Sequence, residues 1–474
     1  MDMNSGFEMT INGVGVAGAG NTTFDVVNPA SGEVFAQAPE CGRDQLDEAV
    51  ATARAAFPSW RATPIEERAA MLNKAADVLE ANAEEMARLF TREQGRPVDQ
   101  ALLEIHGGAM WLRGVSAMRP PVHVAEDSDE QFIETKYTPL GVVCAIAPWN
   151  FPINLAIWKI APALLAGNTM VLKPSPFTPL CTLKMGELFR DIFPQGVLNV
   201  ITGGDDLGPW MTSHPGFDKI SFTGSTATGK RVMESAAKDL KRLTLELGGN
   251  DAAIVMPDVD LDDVAQKIFF GAFFNTAQIC VATKRLYVHE DVYDDLRDRL
   301  AAIAKETKLG DGAEQGTGMG PIQNKRQFDR VTELLEDAKA QNLTLIEASD
   351  IPNGGGYFIP VTIVDNPPEE SRVVQEEAFG PILPMLKFSD VDDVVDRANK
   401  SEYGLAGAVW SKDVDQAVQI ARRMETGTVW VNQNLNLRPD TMFGGHKNSG
   451  FGVENGMEGL LEFMQPQAIY VARG

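Results

Sequence analysis

From Gly141 onward, short runs of apolar and β-branched residues alternate with stretches of helical periodicity, and this pattern constrains the fold more than any other feature of the chain. The runs "VVCAIAP", "TMVLKP", "VLNVITG" and "KISFTGS" read as strands, with helices between them near 154–165 and 178–192. Strands apolar on both faces and separated by single helices form a parallel sheet through right-handed crossovers. A second series, "AAIVMPD", "RLYVHE", "YFIPVTIV", "LPMLKF", "GAVW" and "GTVWVN", predicts another unit of the same kind, with a hinge at about 247–250. A length of 474 residues agrees, since one core of ordinary size does not grow so large. The expected class is α/β, and in open parallel sheets ligands bind at the carboxyl ends of the strands.

Ahead of that series, 43–93 has helical spacing, as in "EERAAMLNKAADVLEANAEEMARLF", and its helices need a surface to cover. The acidic "EDSDE" then gives way to "QFIETKYTPLG", whose alternation predicts an extended ribbon outside the main core. The glycine-rich "NGGGYF" reads as a surface loop before a strand. A formal charge of −24 repels phosphate backbones and anionic membranes, so no nucleic-acid or membrane partner is expected, and a small molecule is. Four cysteines without C-x-x-C spacing and five dispersed histidines predict neither a metal site nor a disulfide framework. The start "MDMNSGFEMT" has no basic region followed by an apolar one, and Lys159 interrupts a long apolar run, so a cytoplasmic protein is expected.

Several short stretches carry reactive chemistry. In "APWNFP" two prolines fix the backbone around Trp149 and Asn150, which makes the Asn150 amide either a helix cap or a fixed donor for an oxyanion. Lys173 ends the strand in "VLKPSPFTP", as a solvated strand end or as a contact for ribose hydroxyls or a phosphate. In "ISFTGSTATGK" the strand, turn and helix order would turn backbone N–H groups toward a pyrophosphate at Gly224, Ser225 and Thr226, although its glycines do not match G-x-G-x-x-G. Glu246 lies inside the apolar "LTLELGGND", where a carboxylate must be paired, protonated or used. Cys280 in "FFNTAQICVATKR" is a small hydrophobe on local composition, or a nucleophile if partners surround it.

Taken in order, "PWNFP", "KPS", "FTGS", "LELGGN", the Gln278-Ile279-Cys280 triplet, "EEAFGP" and "FGGHKNSGFG", with "TREQGRP" upstream, resemble the aldehyde dehydrogenase superfamily over nearly the whole chain. The resemblance implies two Rossmann-like domains and a small β oligomerisation extension: 1–121 and 140–248 for NAD(P) binding, 249–445 for catalysis, 122–139 and 446–474 bridging subunits as a homodimer or homotetramer. It implies a Cys280 nucleophile, an oxyanion held by the Asn150 side chain and the Cys280 N–H, and Glu246 as the general base that hydrolyses a thioester. A free thiol is mostly protonated at neutral pH, so the site must lower its pKa or lend it a base. For NAD or NADP it implies Lys173 and Ser175 at the adenosine ribose, Gly224 and Ser225 by the pyrophosphate, Trp149 nearby, and Glu377 at the nicotinamide ribose with Phe379 against it. Phe151, Leu155, Trp158, Phe274, Ile279 and the loop 433–442 would shape a pocket for an aliphatic or aromatic aldehyde. Arg438 in that loop is expected to be solvated, with a substrate carboxylate as its other use.

Three departures bear on function. Pro176 follows "KPS" where relatives commonly carry a Glu that repels a 2′-phosphate, so NADP becomes admissible beside NAD. Ala277 stands before Gln278 where many members have Gly, and Val453 replaces a common Arg, leaving Glu454 as a second carboxylate near the water path. Two other readings remain: a coenzyme A-acylating relative, which would tend to lack the Glu246 carboxylate, and a catalytically retired binding protein, which would tend to lose Cys280, Asn150 or Glu246.

Overall fold

The computed structural model describes residues 6–352 and 354–473; residues 1–5 and 474 of the predicted end segments and Asn353 of the glycine-rich loop lie outside it. Both expected parallel sheets form. In the first, the parallel strands run in the spatial order Leu198–Val200, Thr169–Lys173, Val142–Ile146, Lys219–Thr223, Arg242–Glu246. Every residue of Val142–Ile146 and of Thr169–Lys173 is buried, as strands covered by helices on both faces require. Strand order reverses between Val142–Ile146 and Lys219–Thr223, which opens a crevice at their carboxyl ends. Three antiparallel pieces missing from the strand pattern finish the sheet: Met9–Ile11 against Leu198–Val200, Val14–Val16 outside it at the edge, and Gly450–Phe451 against Arg242–Glu246 at the other edge.

The second sheet has the order Leu345–Glu347, Thr362–Asp365, Ile382–Phe388, Thr283–His289, Asp251–Val255, Ala406–Trp410, Thr428–Val431, and only its Leu345–Glu347 edge is antiparallel. Alternate residues of its central strands enter two separate cores: Ala253, Val255 and Leu286 join the main one, Ala252, Ile254 and Tyr287 the other. The short 247–250 segment links the two sheets.

Four helices, Arg43–Ala62, Ile65–Ala81, Ala83–Gln94 and Val98–Ser116, supply buried side chains such as Trp60, Leu79, Phe90 and Leu112 to the main core. At the end of the third, the buried Glu93 carboxylate accepts the N–H groups of Leu180 and Cys181 at 2.7 and 2.9 Å, capping the helix Leu180–Phe189 that follows "KPSPFTP".

The predicted ribbon is an antiparallel pair, His123–Asp127 and Gln131–Pro139, and the tail strand Met464–Ala472 pairs with the latter along its whole length. The tail divides later than 446. Gly450–Phe451 belongs to the first sheet, and Leu460 and Phe463 are buried in the main core. These apolar side chains hold 450–463 to the body, so only the strand from Met464 projects with the ribbon.

Candidate active site

The chain between the sheets is shaped by close approach. A Cβ on Gly248 would lie 2.5 Å from Glu377 Oε2, and one on Gly249 would lie 2.7 Å from the Cys280 carbonyl oxygen. Side chains here would push both groups off the linker, which explains the paired glycines of "LELGGN" better than backbone freedom does.

Cys280 follows three consecutive residues in the left-handed region, Asn275, Thr276 and Ala277, with φ of 53°, 57° and 59°. For side chains with a Cβ this costs roughly 1–2 kcal/mol per residue, so the surroundings must impose it. They do so through a buried polar network. Asn275 Oδ1 accepts from Gln94 Nε2 and Arg96 Nε, both at 3.1 Å, while Asn275 Nδ2 donates to the carbonyls of Asn150 and Gln278. Thr276 Oγ1 donates to the Gly320 carbonyl, and Gln278 Oε1 accepts the Gln323 N–H. Arg96 also donates to the Asn150 carbonyl at 2.6 Å and forms a fully buried ion pair with Glu104 at 2.8 Å. Ala277 thus carries, at a strain cost, a conformation that glycine adopts freely.

The same network fixes Asn150. Its Nδ2 donates to the Gln278 carbonyl at 2.9 Å, which turns the amide onto the loop that carries Cys280 and leaves its second N–H for another acceptor. Glu104 Oε1 accepts the N–H groups of Ile153 and Asn154, anchoring the start of the helix Asn154–Ala166 directly after Asn150. The sequence assigns no role to Gln94, Arg96, Glu104, Asn275 or Gln323; "TREQGRP" marks Gln94 and Arg96, the polar lead-in to Cys280 marks Asn275, and Glu104 and Gln323 carry no signal.

Cys280 is partly exposed, but protein crowding dominates its acidity. Burial pushes the thiol up to about 12; Lys284 opposes this, and Glu246, Asp251 and Glu377 reinforce it. This corrects one option left by the sequence: the site does not lower the thiol pKa, so a reaction at this sulfur would need a base.

Glu246 suits that need. It is 3 % exposed, and neither carboxylate oxygen has a hydrogen-bond partner among the described residues. Burial raises its pKa well above the carboxylate range, repulsion from Glu454 adds to the shift, and Lys159 opposes it. Lys159 Nζ donates to Glu454 Oε1 at 2.6 Å and to Thr223 Oγ1 at 2.7 Å, and Thr223 is the register partner of Glu246. Glu377 lies in the opposite wall, where its Oε1 accepts the Gly249 N–H at 3.1 Å and lies 3.3 Å from Lys284 Nζ.

At the crevice, Lys173 Nζ donates to the Pro174 carbonyl at 3.2 Å, and burial pushes its ammonium down to about 8 against the pull of Asp205 and Glu40. Ser175 is buried, with its hydroxyl accepting the Phe177 N–H. The Gly224 N–H bonds the Glu246 carbonyl, and Ser225 caps the helix Thr226–Ala237 by accepting the Thr228 N–H. Trp149 meets Phe379 edge to face at 5.3 Å. Phe151 and Phe274 both lie over the Arg96 guanidinium and are half-buried, whereas Leu155, Trp158 and Ile279 are buried, with Trp158 stacked on Trp111. Arg438 is exposed and paired with Asp440 at 2.7 Å. Among the described residues no group of acidic, His or Cys side chains could hold a metal ion, and no helix is long and apolar enough to cross a membrane.

Comparison with known proteins gives one answer along the whole chain. The profile of the aldehyde dehydrogenase family matches residues 16–469. A putative aldehyde dehydrogenase of Gibberella fujikuroi is 43% identical over 449 residues, 95% of each chain. The NAD+ complex of an aldehyde dehydrogenase from Bacillus cereus superposes with a TM-score of 0.96 at 35% identity, covering 99% of this chain and 97% of the other. Betaine aldehyde dehydrogenase of Staphylococcus aureus, also with NAD+, gives 0.94 at 32% identity over 98% and 94%.

Proposed function

The chain belongs to the aldehyde dehydrogenase family, and from that premise we propose that it oxidises an aliphatic or aromatic aldehyde to the free acid through a thioester on Cys280. The observation that carries this reading is Glu246: a buried carboxyl without a protein donor, acting on a thiol whose loop also holds the Asn150 amide. Glu246 takes the thiol proton as sulfur bonds to the aldehyde carbon. The oxygen that gains charge meets the free N–H of Asn150 and the Cys280 N–H. NAD or NADP, when bound, accepts the hydrogen and two electrons that leave the aldehyde carbon. Glu246 gives that proton up to solvent and then removes one from water; the water oxygen adds to the thioester carbon, the C–S bond breaks, and the leaving thiolate takes the proton back from Glu246, which restores the Cys280 thiol. Glu454 is the second carboxylate beside this water path, its charge balanced by Lys159.

The residues present fit a dinucleotide. Gly248 leaves the Glu377 carboxylate uncovered where a Cβ would touch it, and the crevice sits at the reversal of strand order. Lys173 and Ser175 would hold the adenosine ribose, Gly224, Ser225 and the first turn of Thr226–Ala237 the pyrophosphate, and Glu377 with Trp149 and Phe379 the nicotinamide side. Pro176 removes one carboxylate that would repel a 2′-phosphate. Glu40 and Asp205 act on Lys173 from elsewhere and favour NAD over NADP.

The four free cysteines suit a reducing cytoplasm. The projecting sheet, with Tyr470 72% exposed, supports a homodimer, two of which make a homotetramer. A monomer mass in light scattering would refute that assembly. The reaction is tested by a panel of aldehydes with each cofactor, measuring free acid without coenzyme A. Cys280→Ala is expected to fold and to produce none, and turnover by this variant would overturn the reading.

A further inference from the structure

Lys284 is absent from the chemistry above, yet its ammonium is 6% exposed and lies at the centre of the site. It is the second residue of the strand Thr283–His289, and the next residue, Arg285, turns the other way to bond the carbonyls of Asn250 and Ala398. Lys284 Nζ donates to the Ile279 carbonyl at 2.9 Å and to the Cys280 carbonyl at 2.6 Å, and lies 3.3 Å from Glu377 Oε1. An ammonium has three hydrogens, and this one meets three acceptors.

The Ile279 carbonyl belongs to the same peptide unit as the Cys280 N–H. In a planar trans peptide the two point in opposite directions, so a cation that holds the oxygen also aims the N–H. Its charge draws electron density from the amide and strengthens that N–H as a donor. We propose that Lys284 is a positioning residue: it aims and polarises the Cys280 N–H toward the substrate oxygen, and ties the nucleophile backbone to Glu377. The inference rests on the reading of Cys280 as nucleophile. A purely structural lysine would act only through its charge on Glu377, Asp251 and the thiol, and a cation of another shape would replace it.

The two are separated by setting turnover beside the alkylation of Cys280 with iodoacetamide across pH, without cofactor or aldehyde, in the full chain. The charges acting on this thiol are Lys284, Glu246, Asp251 and Glu377. Lys284→Met is expected to move the alkylation midpoint up by about one pH unit, slowing reaction roughly tenfold below it. It should also lower kcat by about tenfold or more, short of the ~100-fold or greater loss for a deleted oxyanion donor, with aldehyde KM little changed. Glu377→Gln, which keeps Lys284 on both carbonyls, is expected to move the midpoint down. Lys284→Arg keeps the charge but not the fit to both carbonyls, so it is expected to hold the midpoint near the parent's and still lose kcat; parent kcat in folded Lys284→Arg overturns the proposal, and this variant alone decides if Lys284→Met does not fold. Turnover by Cys280→Ala would instead sink the catalytic reading itself.

Discussion

Two buried carboxylates act on one sulfur from opposite walls of the site, and they are built differently. Glu377, on the side of the second sheet, has a backbone N–H and the Lys284 ammonium on one oxygen. Glu246, at the end of the first sheet, has no donor on either among the described residues. Burial raises the pKa of both, but donors that favour the charged form oppose the shift at Glu377, whereas only the more distant attraction of Lys159 opposes it at Glu246. Donors on a buried carboxylate favour its charged form, and their absence favours the protonated one. Burial is thus common to both walls, and the supply of donors divides their roles.

The contrast is broken most directly by removing the titrating group. Glu246→Gln is expected to lower steady-state turnover by roughly 10²–10⁴-fold and to slow the first equivalent of reduced cofactor as well, because the same carboxylate takes the thiol proton, as stopped-flow absorbance would record. Asn150→Ala acts on the oxygen formed in that same first step, so it should lower kcat by about 10²–10³-fold and slow the burst alongside it, while leaving the thiol's base in place. A third expectation concerns pH. Acid release should rise through the elevated pKa of Glu246 as the base loses its proton, and Glu246→Gln should lack this ascending limb. Because folding raises that pKa, the folded state binds the extra proton, so its stabilising share is full at low pH and is lost as pH rises through the folded value. The melting temperature of Glu246→Gln should therefore gain on the parent toward alkaline pH; a constant difference would show that the carboxyl is not displaced. The smallest effect belongs to Glu40→Gln, expected to raise NADP use relative to NAD by about two- to fivefold, the size of a partly exposed charge interaction. An unchanged ratio of kcat/KM values for the two cofactors would remove Glu40 from cofactor choice.

Both parallel sheets were legible in the sequence because buried strands write themselves as unbroken apolar runs. The antiparallel strands of the first sheet were not, since Met9–Ile11, Val14–Val16 and Gly450–Phe451 are too short to display a period. Cys280, Asn150 and Glu246 stood out as chemistry in unusual surroundings. What holds them did not: Arg96 and Asn275 are distant in sequence, and only folding makes one guanidinium bridge Asn150, Asn275 and Glu104. The direction of the thiol shift was hidden for a similar reason. It is set by burial and by four charges on separate segments.

The left-handed turn before Cys280 has a consequence for the life of the chain. Its conformation is uphill by itself and is clamped by Gln94, 181 positions earlier, by Arg96, and by the Asn150 carbonyl. A nascent or partly unfolded molecule lacks that clamp, so the sulfur acquires its aim only once distant stretches have docked. Competence for chemistry thereby becomes a report on complete assembly, and an unfinished copy has no organised means of trapping reactive carbonyl compounds.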